Sequence, residues 1–137
     1  MIKNYLLDTN IIVHHQRGYF NLLTYLSGHG ISIADCYISE ITSIELRIGD
    51  ELFIHKGGRP KVSADQLINL FNVLPISPVI ETFVKEKCRL QFAGTPQTNN
   101  FDLLIGCTAV VHGMTMVTDN IDDFKNIHGI KIENWIR

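Results

Sequence analysis

The stretch Tyr5-Leu6-Leu7-Asp8-Thr9-Asn10 decides the fold. Its three apolar residues predict a short buried strand, and Asp8 marks the point where this strand ends and a helix begins. Working outward, short apolar runs alternate with longer segments of helical periodicity, which predicts an α/β fold with a central, mainly parallel sheet. Further strands are predicted at residues 35–38, 73–76, 115–118 and 129–133, and further helices at 19–26, from 39 to 49 or beyond, 64–72, 78–92 and 101–112.

Length and composition limit the class of protein. The chain has 137 residues, of which 45% are hydrophobic and 19% charged, and these values indicate one globular domain spanning residues 1–137. No apolar run approaches the roughly 18 residues that cross a bilayer. The formal net charge of −2 argues against a protein that binds nucleic acid over its whole surface.

The cysteines bear on the cellular compartment. Cys36, Cys88 and Cys107 are an odd number, widely spaced and without a Cys-x-x-Cys pair. This pattern disfavours both a disulfide framework and a thiolate zinc site. The chain also reaches Asp8 too early for a secretory signal peptide. We therefore expect a cytoplasmic protein without membrane attachment.

Two carboxylates directly follow apolar strands. Asp8 comes after Tyr5-Leu6-Leu7, and Asp119 comes after Met116-Val117-Thr118. Because ligands of parallel α/β sheets bind at the carboxyl ends of the strands, both acids are expected at the functional edge. An aspartate in this position can instead cap the following helix, so neither acid alone decides between the two roles.

A third carboxylate, Glu45, stands beside an apolar row. The row consists of Ile41, Ile44, Ile48 and Leu52, whose spacing predicts the core-facing side of a helix. Glu45 lies on the margin of that row, where a carboxylate needs a cation, a hydrogen-bond network or a raised pKa. An internal salt bridge or an edge position is the structural alternative.

The fourth carboxylate, Asp102, begins a helix that is apolar nearly all round and is therefore expected to be buried. Asp102 shares a face with a strip of mostly small residues, Ile105, Gly106, Ala109 and Gly113. This strip predicts a close approach of the helix to the sheet, which would bring Asp102 near the strand ends. A favourable interaction with the helix dipole is the alternative role.

Four acids at one edge predict a bound cation. Neighbouring carboxylates raise one another's pKa values, and a divalent ion relieves that repulsion. Oxygen ligands without nearby histidine or cysteine favour Mg²⁺ or Mn²⁺ over zinc. Such a site is suited to phosphodiester or phosphoryl chemistry, although this argument does not choose the substrate.

Four segments that contain these acids resemble those of a known family. They are Leu6-Leu7-Asp8-Thr9-Asn10, Ser39-Glu40-Ile41-Thr42-Ser43-Ile44-Glu45-Leu46-Arg47-Ile48-Gly49, Asn100-Phe101-Asp102-Leu103-Leu104-Ile105 and Val117-Thr118-Asp119-Asn120. In this order they closely resemble the PIN-domain ribonucleases, and specifically the VapC-like toxins of bacterial toxin–antitoxin pairs. The resemblance spans nearly the whole chain and includes the predicted closing strand Ile130-Lys131-Ile132-Glu133-Asn134-Trp135.

The resemblance implies a three-layer α/β/α fold and assigns roles to individual positions. Asp8, Glu45, Asp102 and Asp119 match the acidic catalytic and metal-binding quartet of the family, with Asp8 and Asp102 as the firmest ligands. The supporting polar positions match Thr9, Asn10, Thr118 and Asn120. Asp122 and Asp123 fall outside the quartet but are close enough to Asp119 to add charge; a solvated turn is the role expected for them.

The reaction implied is metal-dependent hydrolysis of RNA by water, without a covalent intermediate. The resemblance also implies a homodimer and a cognate antitoxin that places an arginine in the acidic cleft. Two alternatives stay open: a housekeeping RNA-processing nuclease without an antitoxin, and a PIN domain that binds RNA or protein without cleaving it.

Basic residues cluster in the middle of the chain. The candidates for contact with RNA phosphates are Arg47, Lys56, Arg59 and Lys61. A solvated charged surface is the alternative explanation for such a cluster.

Overall fold

Parallel strands form the centre of the molecule. The computed structural model describes residues 3–137 and contains five strands: β1 (Tyr5–Leu7), β2 (Cys36–Ser39), β3 (Asn72–Leu74), β4 (Thr115–Val117) and β5 (Lys131–Glu133). They pair in the order β3-β2-β1-β4-β5, and every pair is parallel. The predicted parallel sheet is confirmed.

Within residues 3–137, six α-helices connect these strands. They are α1 (Thr9–Gln16), α2 (Leu22–Gly28), α3 (Glu40–His55), α4 (Ala64–Ile68), α5 (Ile80–Phe92) and α6 (Asn100–Val111). Short 3₁₀ turns lie at Ile33–Asp35, Ser77–Val79 and Ile121–Asp123. No helix within residues 3–137 is long and apolar enough to cross a membrane.

Alternate residues of the strands face two separate cores. Leu7 packs with residues of α1 and α2 such as Ile11 and Leu22, whereas Leu6 packs with residues of α5 and α6 such as Leu90 and Leu103. Since side chains of a strand alternate between its faces, this division places helices on both sides of the sheet. The three-layer α/β/α architecture is therefore confirmed.

The centre of the sheet brings two distant parts of the chain together. β1 lies between β2 and β4, and Leu7 is in register with Val117. Just beyond them, the amide of Asp8 donates a 2.9 Å hydrogen bond to the carbonyl of Val117. The chain builds the sheet in one direction from β1 and then in the other, and this switch point is where open α/β sheets bind ligands.

The apolar row of α3 was predicted to face the core, but most of it is exposed. Ile41 is buried, but Ile44, Ile48 and Leu52 are 42%, 48% and 56% exposed. The buried side of α3 instead includes Thr42 and Leu46. Residues 51–55, which end the helix, are all exposed, so the apolar side chains of its last turns are left largely uncovered within the described chain. The result is an exposed apolar row beside Glu45.

One small residue of α6, Gly106, serves a contact that was not predicted. A Cβ at Gly106 would overlap Cδ1 of Ile127 and would lie 3.3 Å from Cδ1 of Phe124. Gly106 therefore allows the segment after β4 to approach α6 closely, while Ile105 and Ala109 of the same strip lie in one core with Leu6 and Met116 of the sheet. That segment continues from the 3₁₀ turn at Ile121–Asp123.

Candidate active site

Asp8 lies at the carboxyl end of the central strand. It is only 4% exposed and caps α1, because its Oδ1 accepts a 2.8 Å hydrogen bond from the amide of Thr9. Its Oδ2 accepts a 2.8 Å hydrogen bond from the hydroxyl of Thr118. Burial raises the pKa of Asp8 to about 7; the bond from Thr118 opposes this effect and the charge of Asp102 adds to it. Asp8 therefore caps α1 and also lies at the carboxyl end of the central strand, so the two roles considered for it do not exclude each other.

Glu45 reaches the same place from α3. The hydroxyl of Thr9 donates a 2.6 Å hydrogen bond to its Oε1, and the hydroxyls of Thr9 and Thr42 are 3.0 Å apart. The negative charge of Glu45 contributes to the raised pKa values of Asp8 and Asp102. Thr9 therefore orders Glu45 through its hydroxyl and Asp8 through its amide.

Asp102 enters from the first turn of α6. This helix starts at a well-defined point because the side chain of Asn99 accepts hydrogen bonds from the amides of Phe101 and Asp102. Burial raises the pKa of Asp102 to about 6, and the charges of Asp123 and Glu45 raise it further. Its carboxylate is therefore electrostatically coupled to acids on two other segments.

Asp123 completes the group from the exposed 3₁₀ turn Ile121–Asp123, which agrees with the expected solvated turn but also lines the cleft. Its backbone carbonyl accepts a 2.6 Å hydrogen bond from Gln97, and its carboxylate is bonded to the side chain of Asn120. Asp122, next to it, is exposed and pairs with Lys125. One feature of the sequence could have indicated that Asp123 lines the cleft. Asp123 ends a tight turn that begins after Asn120, close to the end of β4.

Asp119 is directed elsewhere. Its Oδ1 lies 3.0 Å from Nε of Arg137 and accepts a 3.3 Å hydrogen bond from Asn134. Its Oδ2 lies 3.4 Å from Nε2 of His14. Cationic and polar neighbours thus surround this carboxylate, and a role in the predicted quartet stays a prediction.

The polar residues predicted to support the acids are linked by hydrogen bonds around the side chain of Thr118. The buried hydroxyl of Thr118 accepts hydrogen bonds from the amide of Asn120 at 3.0 Å and from the side chain of Asn10 at 3.4 Å. The carbonyl oxygen of the Asn10 side chain in turn accepts from the amide of Asp119 at 3.4 Å. The four supporting positions predicted from the sequence therefore lie together, around Asp8.

The acids line one open cleft of about 290 Å³. Its residues are Asp8, Thr9, Asn10, Val13, Glu45, Asp102, Asn120 and Asp123. Among residues 3–137, neither a lysine nor an arginine lines the cleft. The cleft is therefore acidic, and its ionised form is unfavourable unless a cation enters.

The ligand chemistry of the cleft fits a hard divalent cation. Every strong ligand in it is an oxygen, and histidine and cysteine are absent from its lining within residues 3–137. No three or more acidic, histidine or cysteine side chains within the same residues already stand at ion-binding distances. Carboxylates that repel one another are expected to stay apart until a cation draws them together.

The basic candidates lie away from this cleft. Arg47 pairs with Asp65 at 3.0 Å, and Lys56, Arg59 and Lys61 are exposed at and beyond the end of α3. Glu45 and Lys56 are separated by about 16 Å of helix. Contact of these residues with RNA therefore stays a prediction, and it would involve RNA well outside the acidic cleft.

Comparison with known proteins supplies the family. The sequence profile described as the PIN domain matches residues 5–130. The chain belongs to the PIN-domain family. The matched part of this PIN domain includes all four acids that line the cleft, whereas Asn134 and Arg137, which contact Asp119, lie beyond it.

Relatives and solved structures agree with this assignment. Two proteins of Rickettsia felis, named Ribonuclease VapC1 and Ribonuclease VapC2, are 30% and 32% identical to this PIN domain; the matches span 93% and 96% of this chain and 92% and 97% of theirs. The structure of VapBC2 from Rickettsia felis, bound to a DNA fragment from its promoter, has 26% identity and a TM-score of 0.78, and the match covers 96% of this chain and 98% of that one. VapBC-1 from nontypeable Haemophilus influenzae has 25% identity and a TM-score of 0.74, with 97% and 98% covered.

Proposed function

We propose that this PIN domain is a metal-dependent endoribonuclease and the toxin of a toxin–antitoxin pair. The observation that carries the proposal is the meeting of Asp8, Glu45 and Asp102, from three separate elements, in one acidic cleft. The names of the relatives, Ribonuclease VapC1 and VapC2, support RNA as the substrate.

Each acid has a distinct part in this proposal. Asp8 and Asp102 would hold Mg²⁺ or Mn²⁺: burial and neighbouring negative charge raise the pKa values of both, and a cation would offset that charge. When bound, the ion supplies Lewis-acid activation of the phosphodiester and of water. Glu45, oriented by the hydroxyl of Thr9, accepts a proton from the attacking water. Asp123 adds a fourth carboxylate to the cleft, close enough to Asp102 for its charge to raise the pKa of that residue.

Cleavage of a labelled RNA by the purified chain tests the enzymatic part. Cuts are expected with Mg²⁺ or Mn²⁺ and not with EDTA. Asp8→Asn and Asp102→Asn should each lower the rate at least about 100-fold, which corresponds to roughly 2.7 kcal/mol of transition-state stabilisation. Unchanged activity of Asp8→Asn, or full activity in EDTA, would remove the assignment.

A matched pair on α3 controls for general effects of the substitution. Glu45→Gln should abolish most cleavage because its carboxylate lies in the cleft. Glu51→Gln changes the same chemical group on the same helix, but Glu51 is 74% exposed and pairs with the similarly exposed His55. Its activity is expected to equal that of the unmodified chain.

The partner is proposed from the surface around the cleft. The titles of the solved neighbours name VapBC assemblies, and this chain offers an acidic cleft beside the exposed Ile44, Ile48 and Leu52. An antitoxin segment with apolar side chains and one arginine would complement both surfaces. The arginine would meet the acids that have no basic neighbour in the cleft lining.

Expression with and without the adjacent reading frame tests the toxin role. Growth arrest by the single gene, relief by the neighbour and loss of arrest in Asp102→Asn are the expected results. RNA cleavage without growth arrest or a neighbouring inhibitor would instead favour a housekeeping nuclease. Mapping of RNA ends in the same cultures identifies the substrate.

A further inference from the structure

We propose that Gln97 and Lys87 are positioning residues, which hold the backbones of two cleft acids in a fixed relation before a divalent cation binds. The acids are Asp102 and Asp123, and neither positioning residue lines the cleft itself. The proposal rests on the proposed metal-dependent function and adds residues on which that function depends. Its basis is a chain of hydrogen bonds that runs from α5, through the loop at residues 93–99, to the segments of both acids.

The side-chain amide of Gln97 joins the two segments that carry these acids. Its nitrogen, Nε2, donates a 2.6 Å hydrogen bond to the backbone carbonyl of Asp123. Its oxygen, Oε1, accepts a 3.2 Å hydrogen bond from the amide of Asn99. Asn99 in turn caps α6, and its side chain accepts a hydrogen bond from the amide of Asp102. One amide group therefore links the start of α6 with the turn that contains Asp123.

The backbone of Asp123 is held at both of its polar groups. Its amide donates a 3.1 Å hydrogen bond to the carbonyl of Asn120, and its carbonyl accepts the bond from Gln97. Gln97 is half-buried, whereas its neighbours at residues 91–96 and 98–100 are exposed. Since the loop withdraws a side chain from solvent at this one point, Gln97 is the residue that ties the loop to the turn.

Lys87 ties the same loop to α5. Its Nζ donates hydrogen bonds of 2.9 Å to the carbonyl of Gln97 and of 2.6 Å to the side-chain oxygen of Asn100, the first residue of α6. The lysine is half-buried, and it takes part in none of the ion pairs found within residues 3–137. Its contacts with neutral oxygens therefore fix the path of the chain rather than balance a neighbouring carboxylate.

Asp102 and Asp123 need such a connection because their charges repel each other. The charge of Asp123 contributes to the raised pKa of Asp102, and like charges on two loosely held segments would move apart. A cation that binds both acids would then have to order the segments, and this cost weakens binding. With the backbones already held by Gln97 and Lys87, only the two side chains need to move when the cation enters.

Calorimetric titration of the full-length chain with Mn²⁺ tests the role of Gln97. Gln97→Met keeps the length of the side chain but removes both hydrogen bonds, and the affinity should fall about 5- to 20-fold. In an Asp123→Asn background the same substitution should lower the affinity less than about twofold, because the spacing between the two acids no longer matters. A general structural effect would lower the affinity equally in both backgrounds, and that result would overturn the proposal.

Lys87→Met distinguishes positioning from charge. Removal of a positive charge near an acidic cleft strengthens cation binding by electrostatics alone, whereas loss of the two hydrogen bonds should weaken it about 3- to 10-fold. Lys87→Arg keeps hydrogen-bond donors and should restore most of the affinity. Lys85→Met is the matched control on the same helix: Lys85 is exposed and pairs with Glu81, so its affinity should stay within about twofold of the parent chain. Unchanged or tighter Mn²⁺ binding by Lys87→Met would overturn the role of Lys87.

Hydrogen exchange in EDTA gives a readout without metal or activity. Gln97→Met should raise the exchange rate of residues 119–125 at least about fivefold and leave that of α2 unchanged. Parent-like exchange in residues 119–125 would remove the positioning role and leave the proposed function intact, and so would parent-like Mn²⁺ affinity in Gln97→Met. Absence of Mn²⁺ binding by the parent chain would instead remove the proposed metal site and this proposal with it.

Discussion

The hydroxyl of Thr118 donates a 2.8 Å hydrogen bond to Oδ2 of Asp8 and so joins the ends of two neighbouring strands. Both side chains are buried. Since Oδ1 of Asp8 accepts from the amide of Thr9, the carboxylate is fixed at both oxygens. Its orientation toward the cleft is therefore a property of the sheet itself and does not depend on a mobile loop.

Replacement of Thr118 tests this positioning role. Thr118→Val keeps the shape of the side chain but removes the hydroxyl, and we expect Mn²⁺ affinity and cleavage to fall about 10- to 100-fold. Thr118→Ser retains the donor and should restore most of both. Calorimetric titration with Mn²⁺ separates metal affinity from the rate. Equal affinity in the valine and serine variants would contradict the role.

The pKa of Asp8 predicts how stability depends on pH in EDTA. Burial raises this pKa from 3.8 to about 7, so between these values the folded state binds a proton that the unfolded state has released. The free energy of unfolding should therefore fall as pH rises from about 4 to 7 and then level off. The contribution of Asp8 amounts to roughly 4 kcal/mol.

Urea unfolding of Asp8→Asn at pH 5 and pH 8 measures this contribution. The variant should lose most of the decline and should be more stable than the parent chain at pH 8 in EDTA. Asp102, whose pKa is raised to about 6, leaves a smaller decline in the same direction. The exposed control Asp122→Asn should retain the full pH dependence, and a flat profile in the parent chain would refute the assignment.

Asp123 and Asp122 form a natural test of cleft membership. Both acids are exposed in the same 3₁₀ turn, but Asp123 lines the cleft, whereas Asp122 pairs with Lys125. Asp123→Asn should lower cleavage and Mn²⁺ affinity at least about tenfold, and Asp122→Asn should change neither. Asp119→Asn belongs in the same assay: an effect larger than that of Asp123→Asn would show that Asp119 leaves Arg137 when metal binds.

Glu86 predicts a stability effect far from the cleft. Its carboxylate accepts two hydrogen bonds from Arg89 and one from the amide of His128, at 2.6 to 2.7 Å. Glu86→Gln should cost about 1–3 kcal/mol of unfolding free energy in urea. Glu81→Gln on the same helix removes only an exposed pair and should cost less than about 0.5 kcal/mol. Similar losses of unfolding free energy in both variants would contradict the prediction that the buried Glu86 contributes more stability than the exposed Glu81.

The pH dependence of this interaction has the opposite sign to that of Asp8. Hydrogen bonds from Arg89 lower the pKa of Glu86 below its ordinary value of 4.5. Its stabilising contribution is therefore complete above about pH 4.5 and is lost as pH falls through the lowered pKa. Acid unfolding of the parent chain and of Glu86→Gln should consequently converge.

The sequence predicted the fold and three of the four cleft acids because these depend on local patterns. A strand followed by Asp8, and a buried helix that begins at Asp102, fix the positions of both carboxylates relative to a parallel sheet. The fourth acid depended on the path of the chain after β4. The turn at Ile121–Asp123 brings Asp123 into the cleft and leaves Asp119 facing Arg137, and residue spacing alone does not encode that direction.

The helical spacing of apolar residues likewise predicted where a helix and its apolar face lie, but it did not predict whether that face is buried. The spacing of Ile44, Ile48 and Leu52 correctly predicts one apolar face, but a face of this kind can cover the core or await a partner. Both α3 and α5 keep such a face exposed. When another chain covers an apolar helix face, the sequence shows the spacing of the apolar residues but does not show which partner covers them.

The order of the strands has a consequence for biosynthesis. The acids that meet in the cleft stand at positions 8, 45, 102 and 123, and the middle of the sheet closes only when β4 pairs beside β1. A nascent chain still attached to the ribosome at residue 110 contains three of the four acids but no β4 to complete their setting. The complete acidic cleft can therefore assemble only after β4 and the turn at Ile121–Asp123 have been synthesised, late in translation.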